Sequence, residues 1–395
     1  MLRVITEPDN LNTGFIDYEF QNLFFITQKT RMLMQKHIVV VLGMHRSGTS
    51  VITRALKALN IDLGDRLIPS HNDNKKGYWE DIDINNLNVK ILSHLGYNWQ
   101  TLVPVLPEEV IELTKTKFKD RAIQILNGKL LNTYIFGLKD PRINRLLPFW
   151  KDVFDSMRVK VSYIIACRNP MSVARSLKKR DGFEFEKSYF LWTEHTILSL
   201  YYTQHDNRII VDYDNIIENP EIEITRLSKF LNINFSTKSA SFQEYKKEFL
   251  ETSLRHTSYS IPDLFTKEKI PPNTITLFRI LKSLTKQDFT TNDPDLHEKI
   301  KHQLKCYTDN FSALSYMHKC EAEISHLKNI IHDQQKQIGN DIEYSREKDD
   351  ALSLVKYLLS DNTVNSENIQ KLYSLKFVIA FARVWRFVAK VRGKI

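Results

Sequence analysis

The clearest pattern in the chain is a run of short apolar segments, the first three stopped by Gly or Pro, that alternate with stretches of helical spacing. His37–Gly43 (HIVVVLG) is a β-branched run ending at Gly, which predicts a strand buried on both faces. Thr49–Ile61 follows with Val51, Ile52, Leu56 and Leu59 at helical spacing. Further strands are predicted over Thr133–Pro141, Val159–Pro170 and Arg208–Ile216. The last two lead into the helical stretches MSVARSLKKR and PEIEITRLSKFLNI. Strands alternating with helices predict an α/β fold, a parallel sheet flanked by helices. Asp81 and Asp83 are expected to cap a helix that begins just after Glu80.

Beyond about residue 262 the strand pattern fades into a helical extension. Between Glu321 and Ile342 a polar helical segment carries Ile324, Leu327, Ile331 and Ile338, a stripe interrupted at Gln334 and Asp341. This predicts a short coiled coil and, through it, a homodimer. The organisation expected is an N-terminal segment 1–37, a main domain 38–262, a helical extension 263–320, a coiled coil 321–345 and a helical tail 346–395. Lys376–Ile395 is basic and amphipathic. It predicts either a helix on an anionic membrane surface or a terminal helix packed on protein.

Composition narrows the classes. The 395 residues are 42% hydrophobic and 26% charged, enough for a core and too apolar for general disorder. The net charge of +9 is uneven: from Ser366 onward seven basic residues face one acid, so the rest carries only +3. A nucleic-acid-binding body is not implied. Three scattered cysteines (Cys167, Cys306, Cys320) form neither a disulfide framework nor a zinc motif, and fit a reducing compartment. No secretory signal and no membrane span are read. The expected location is the cytoplasm, with the tail as a contact to the inner face of the plasma membrane.

The chemistry concentrates after the first strand. Gly43-Met44-His45-Arg46-Ser47-Gly48-Thr49-Ser50 joins strand to helix, where backbone N–H groups and the hydroxyls of Ser47, Thr49 and Ser50 can cradle an anion. In the ATP-type loop a Lys follows the second Gly; here Thr49 stands in that place and the cation comes earlier, at Arg46. A second group, Cys167-Arg168-Asn169-Pro170 with Ser176 eight residues after Arg168, puts a guanidinium at a strand end and a hydroxyl in the next helix, a set that suits a phosphate dianion. A third is Lys139-Asp140-Pro141-Arg142 followed by Leu146-Leu147-Pro148.

Together these motifs resemble the sulfotransferases that use 3′-phosphoadenosine 5′-phosphosulfate (PAPS), over roughly residues 38–260. The resemblance implies that Gly43–Ser50 is the 5′-phosphosulfate loop, with Arg46 at the family's lysine position. It implies that Arg168 and Ser176 bind the 3′-phosphate, with Arg255 as a further contact, and that Lys139 holds the transferring sulfonate. Pro141 falls on the histidine that serves as base in the cytosolic branch, so the base must come from elsewhere. Glu80, Asp140 and His45 are the candidates. Membrane-bound and bacterial members use a glutamate in the region of Glu80, which is preferred here; Asp140 equally fits a partner for Arg142, and His45 fits a positioning role on the donor side. The expectation is in-line sulfonate transfer, without a metal, to a hydroxyl or amino acceptor on a glycan or lipid-linked sugar. The alternatives are a P-loop kinase, with Asp140 on magnesium, and a nucleotide-binding scaffold without turnover.

Overall fold

The structure is a computed structural model in which residues 35–71, 74, 76–250, 270–286 and 293–360 are described. The N-terminal segment up to residue 34, Arg255 and the basic tail lie outside the described residues. The chain divides into two compact units, Met1–Ser315 and Tyr316–Ile395.

In the first unit four parallel strands form one sheet: β1 (His37–Leu42), β2 (Ile135–Lys139), β3 (Lys160–Cys167) and β4 (Arg208–Asp212), in the order β2-β1-β3-β4. The helices are α1 (Thr49–Ala58), α2 (Ile82–His94), α3 (Pro107–Thr114), α4 (Lys117–Lys129), α5 (Leu147–Met157), α6 (Pro170–Asp181), α7 (Phe185–Tyr202), α8 (Tyr213–Glu218), α9 (Pro220–Leu231), α10 (Ala240–Glu244), α11 (Pro272–Leu284) and α12 (Pro294–Thr308), with a 3-10 turn at Pro141–Asn144. A thirteenth, α13, runs from Phe311 to Ser360. The expected fold class, a parallel sheet flanked by helices with a helical C-terminal extension, is the one observed.

Strand alternation sorts the apolar residues onto two faces. Val39, Val41, Ile164 and Val211 pack against Ile52 and Leu56 of α1 and against α9. Ile38, Val40, Leu42, Phe136 and Ile165 face the larger cluster around Trp150 and Trp192. Every residue of β1 is buried, which is why its sequence reads as a continuous apolar run.

Two predicted boundaries shift. The strand expected over Arg208–Ile216 stops at Asp212, because the Asp212 carboxylate accepts from the N–H groups of Asp214 and Asn215 and starts α8. Asp81 caps α2, accepting from Asp83 and Ile84 N–H, but Asp83 does not cap. Its carboxylate pairs instead with Arg66 and Lys129.

The topology places the site. β1 connects onward to β2 on one side, and β3 then lies on the other. The carboxyl ends of β1 and β3 therefore flank a switch point, the usual ligand crevice of an open parallel sheet. The loop after β1 and Arg168 after β3 both emerge there.

Candidate functional site

The Gly43–Ser50 loop is held from three sides. Gly43 lies so close to β3 that a Cβ on it would stand 3.0 Å from the Ala166 Cβ, and its N–H donates to Asn144 Oδ1 at 3.2 Å. Gly48 takes φ +89°, and a Cβ there would meet the Tyr213 ring at 2.2 Å. Only glycine allows the loop to lie on that ring. Arg46 takes φ 69°, an uncommon conformation for a residue with a side chain. Its carbonyl is fixed by a hydrogen bond from Arg168 Nη1 at 2.6 Å, and its Nε donates to Ser176 Oγ at 2.8 Å. The Arg168 guanidinium in turn lies 4.1 Å over the Tyr213 ring. The two motifs that stand 120 or more residues apart in sequence thus interlock, with Tyr213 under both.

The third group closes the opposite wall. Lys139, at the end of β2, donates to Glu80 Oε1 at 2.6 Å and to the Tyr78 carbonyl at 2.9 Å. The other Glu80 oxygen accepts from Asn85 Nδ2 at 2.9 Å and lies 3.7 Å from Arg142 Nη1. Glu80 and Lys139 are both buried. Burial pushes the Glu80 carboxyl above its ordinary range against the pull of Lys139, and the nearby Asp140 charge adds to the rise. A carboxyl raised in this way holds and releases its proton closer to neutral pH than an exposed one does.

His45 projects from the loop with its ring 4.5 Å from that of Trp99. Its Nε2 is buried and has no hydrogen-bond partner among the described residues. Burial first, then Arg142, Arg180 and Lys139, hold its pKa well below the ordinary value, so the imidazole is neutral. Ser47 Oγ is likewise buried and unpartnered among the described residues.

A cavity of about 140 Å³ gathers these groups: His45, Arg46, Gly48, Thr49, Ser50, Glu80, Lys139, Arg168 and Ser176 all line it. Gly43 and Ser47 shape the loop without lining the cavity. Asp140 does not line it either. It is 1% exposed, and its oxygens accept from Arg142 N, Arg142 Nη1 and Asn88 Nδ2 at 2.9–3.0 Å, while Asn88 is tied to Trp150 Nε1. It holds Arg142 beside Glu80. The cavity also recruits Lys76, Tyr78, Arg180 and Tyr213, which the motifs did not single out. Arg180 follows Ser176 by one helical turn, a spacing that could have flagged it. Nothing in the sequence near Tyr213 advertises its place under the loop.

No family model matches the chain, and no curated protein does. Among solved structures it is similar to the sulfotransferase domain of the Synechococcus PCC 7002 olefin synthase, at 14% identity and TM-score 0.34, over 62% of this chain and 88% of that one. It is also similar to the sulfotransferase domain from the curacin biosynthetic pathway, at 15% identity and TM-score 0.34, over 69% and 98% of the two chains. A third similarity is to the sulfotransferase STF1 from Mycobacterium tuberculosis H37Rv, at 12% identity and TM-score 0.30, over 67% and 80%. Likenesses this distant carry no weight for the site, whose chemistry is read from its own residues.

Proposed function

We propose that the chain is a PAPS-dependent sulfotransferase that moves a sulfonate group to a hydroxyl or amino acceptor. The observation that carries this reading is the charge of the cavity. Arg46, Lys76, Lys139, Arg168 and Arg180 line it against one carboxylate, Glu80. Such a lining suits a ligand with several negative groups. The neutral His45 imidazole adds polar capacity to the same lining. These residues fit PAPS, which would supply an activated sulfonate and leave as adenosine 3′,5′-bisphosphate.

In this reading Gly43–Ser50 binds the phosphosulfate end, and Arg168 with Ser176 takes the 3′-phosphate. Glu80 accepts the proton of the attacking hydroxyl as the oxygen–sulfur bond forms and the bond to the bisphosphate breaks. Protonation of Glu80 removes the charge that Lys139 faces at 2.6 Å. The ammonium is then free to neutralise charge on the sulfonate, with Arg46 on the donor side. The acceptor is proposed to be a glycan or lipid-linked sugar, reached from the cytoplasmic side.

The kinase reading needs Asp140 for magnesium, yet both of its oxygens are already engaged by Arg142 and Asn88. A scaffold without turnover would follow from Pro141 at the family's histidine position only if no other base were at hand, and Glu80 lines the same cavity. The test is transfer of labelled sulfonate from PAPS to a panel of glycans and lipid-linked sugars. Transfer that falls on the order of 10²–10³ in Glu80→Gln and Lys139→Met is expected. Wild-type rates in both variants, or PAPS that neither binds nor turns over, would sink the proposal.

A further inference from the structure

Helix α13 displays apolar residues that a single helix has no use for. Met317, Ile324, Ile331, Ile338 and Leu352 are 38–57% exposed, and so is Leu327 at 48%. The first four stand seven residues apart, and Leu352 stands fourteen after Ile338, with Ser345 between. An ideal straight helix of 3.6 residues per turn drifts off a seven-residue repeat by about 20° per heptad. A strict repeat is therefore the mark of a left-handed supercoil with another helix, not of a helix packed on a globular body.

We infer that this chain forms a parallel, in-register homodimer through α13, with Met317, Ile324, Ile331 and Ile338 at the first core position of the heptad. Cys320, Leu327, Gln334 and Asp341 then take the second core position, so the apolar seam runs from Met317 to Ile338. Two features choose a second copy in this orientation. Isoleucine at the first position in three successive heptads, with Leu327 at the second in one of them, favours two parallel strands. The flanking positions are complementary: in a parallel pair Glu323 of one copy faces Lys328 of the other, on both sides of the seam. Gln334 at a core position fixes the register, since a shift would bury its amide against isoleucine. The sequence had suggested the dimer over 321–345; the exposed repeat begins a turn earlier, at Met317.

This surface is independent of the sulfotransferase reading and is tested without it. The full chain is examined under reducing conditions by light scattering from low to high micromolar concentration, beside Ile331→Lys. Ile331 is 52% exposed in the single chain, so the variant keeps its fold, which circular dichroism checks. The wild type is expected at twice the monomer mass and Ile331→Lys at the monomer mass. Mild oxidation adds the orientation. Parallel, in-register helices bring the two Cys320 thiols face to face, within disulfide reach. A covalent dimer that Cys320→Ser abolishes is expected. A monomer at every concentration overturns the dimer. A dimer without a Cys320 link overturns the parallel register. A full-length monomer that dimerises only once residues 361–395 are removed means that the chain's own tail covers the stripe, and also overturns it.

Discussion

Replacing Glu80 by Gln leaves the Lys139 ammonium in a site where 3% of the residue meets solvent. The ammonium keeps the Tyr78 carbonyl at 2.9 Å and gains whatever neutral oxygen the new amide offers. Breaking a buried pair by removing one charge costs about 3–5 kcal/mol, and the amide places this case near the lower end, about 3 kcal/mol. Lys139→Met leaves the opposite orphan, a carboxylate whose other neighbours are Asn85 at 2.9 Å and Arg142 at 3.7 Å. Burial already raises that carboxyl, and the loss of Lys139 raises it further. A raised carboxyl stabilises the fold fully below its unfolded value and loses that contribution as pH rises through its folded value. Lys139→Met should therefore approach wild-type stability in acid and fall behind as pH climbs. The double variant Glu80→Gln/Lys139→Met buries no unpaired charge and should recover most of the loss, giving a coupling of about 3 kcal/mol. The assay is urea unfolding of the four proteins at two pH values. Additive losses, with a coupling near zero, would refute the view of Glu80 and Lys139 as one coupled unit. The pair also separates stability from chemistry: the double variant regains the fold and should remain inactive.

Three further outcomes follow from the same geometry. Gly48→Ala drives a methyl into the Tyr213 ring at 2.2 Å and strains a backbone at φ +89°; adenosine bisphosphate affinity should drop by about tenfold or more, roughly 1.4 kcal/mol, as read by calorimetry. The acid limb of the transfer rate should lie above the ordinary carboxylate value of 4.5, because burial raises Glu80, and Asp140→Asn should move that limb to lower pH by removing a neighbouring negative charge; an unmoved limb assigns the proton to another group. His37 is buried against Ser162 and its pKa is lowered to about 4 by burial and by Lys160. Its contribution is present above pH 6.5 and lost as pH falls through about 4, worth about 3 kcal/mol; His37→Gln should flatten that part of the stability curve.

Much of the fold could be read from periodicity because the strands are buried on both faces and three of the four are followed within three residues by Gly or Pro. β1 is apolar from Ile38 on and β3 from Tyr163 on, and Pro170 starts α6 where the sequence breaks. What could not be read was contact across the sheet. The residues of the loop, of β2 and of β3 were each legible by type and spacing, but the Lys139–Glu80 pair joins residues 59 apart and needs the segment before α2 to lie against the end of β2. Tyr213 was hidden because it stood inside a stretch that looked like strand, and the Asp212 cap turned it into a helix facing the loop. Asp140 looked like chemistry because it sits between Lys139 and Arg142. In the fold it is buried, and its oxygens accept from Arg142 and Asn88.

The central claim is that the cationic cavity between β1 and β3 takes a nucleotide with a 3′-phosphate. Calorimetry with adenosine 3′,5′-bisphosphate, beside magnesium-ATP and the Arg168→Ala variant, tests it most directly. Losing a charged hydrogen bond to a phosphate costs about 1.5–3 kcal/mol, so Arg168→Ala should weaken the bisphosphate on the order of tenfold to a hundredfold. Tight bisphosphate binding that depends on Arg168 is the predicted result. Magnesium-ATP binding as tightly as the bisphosphate, with no effect of Arg168, would contradict it.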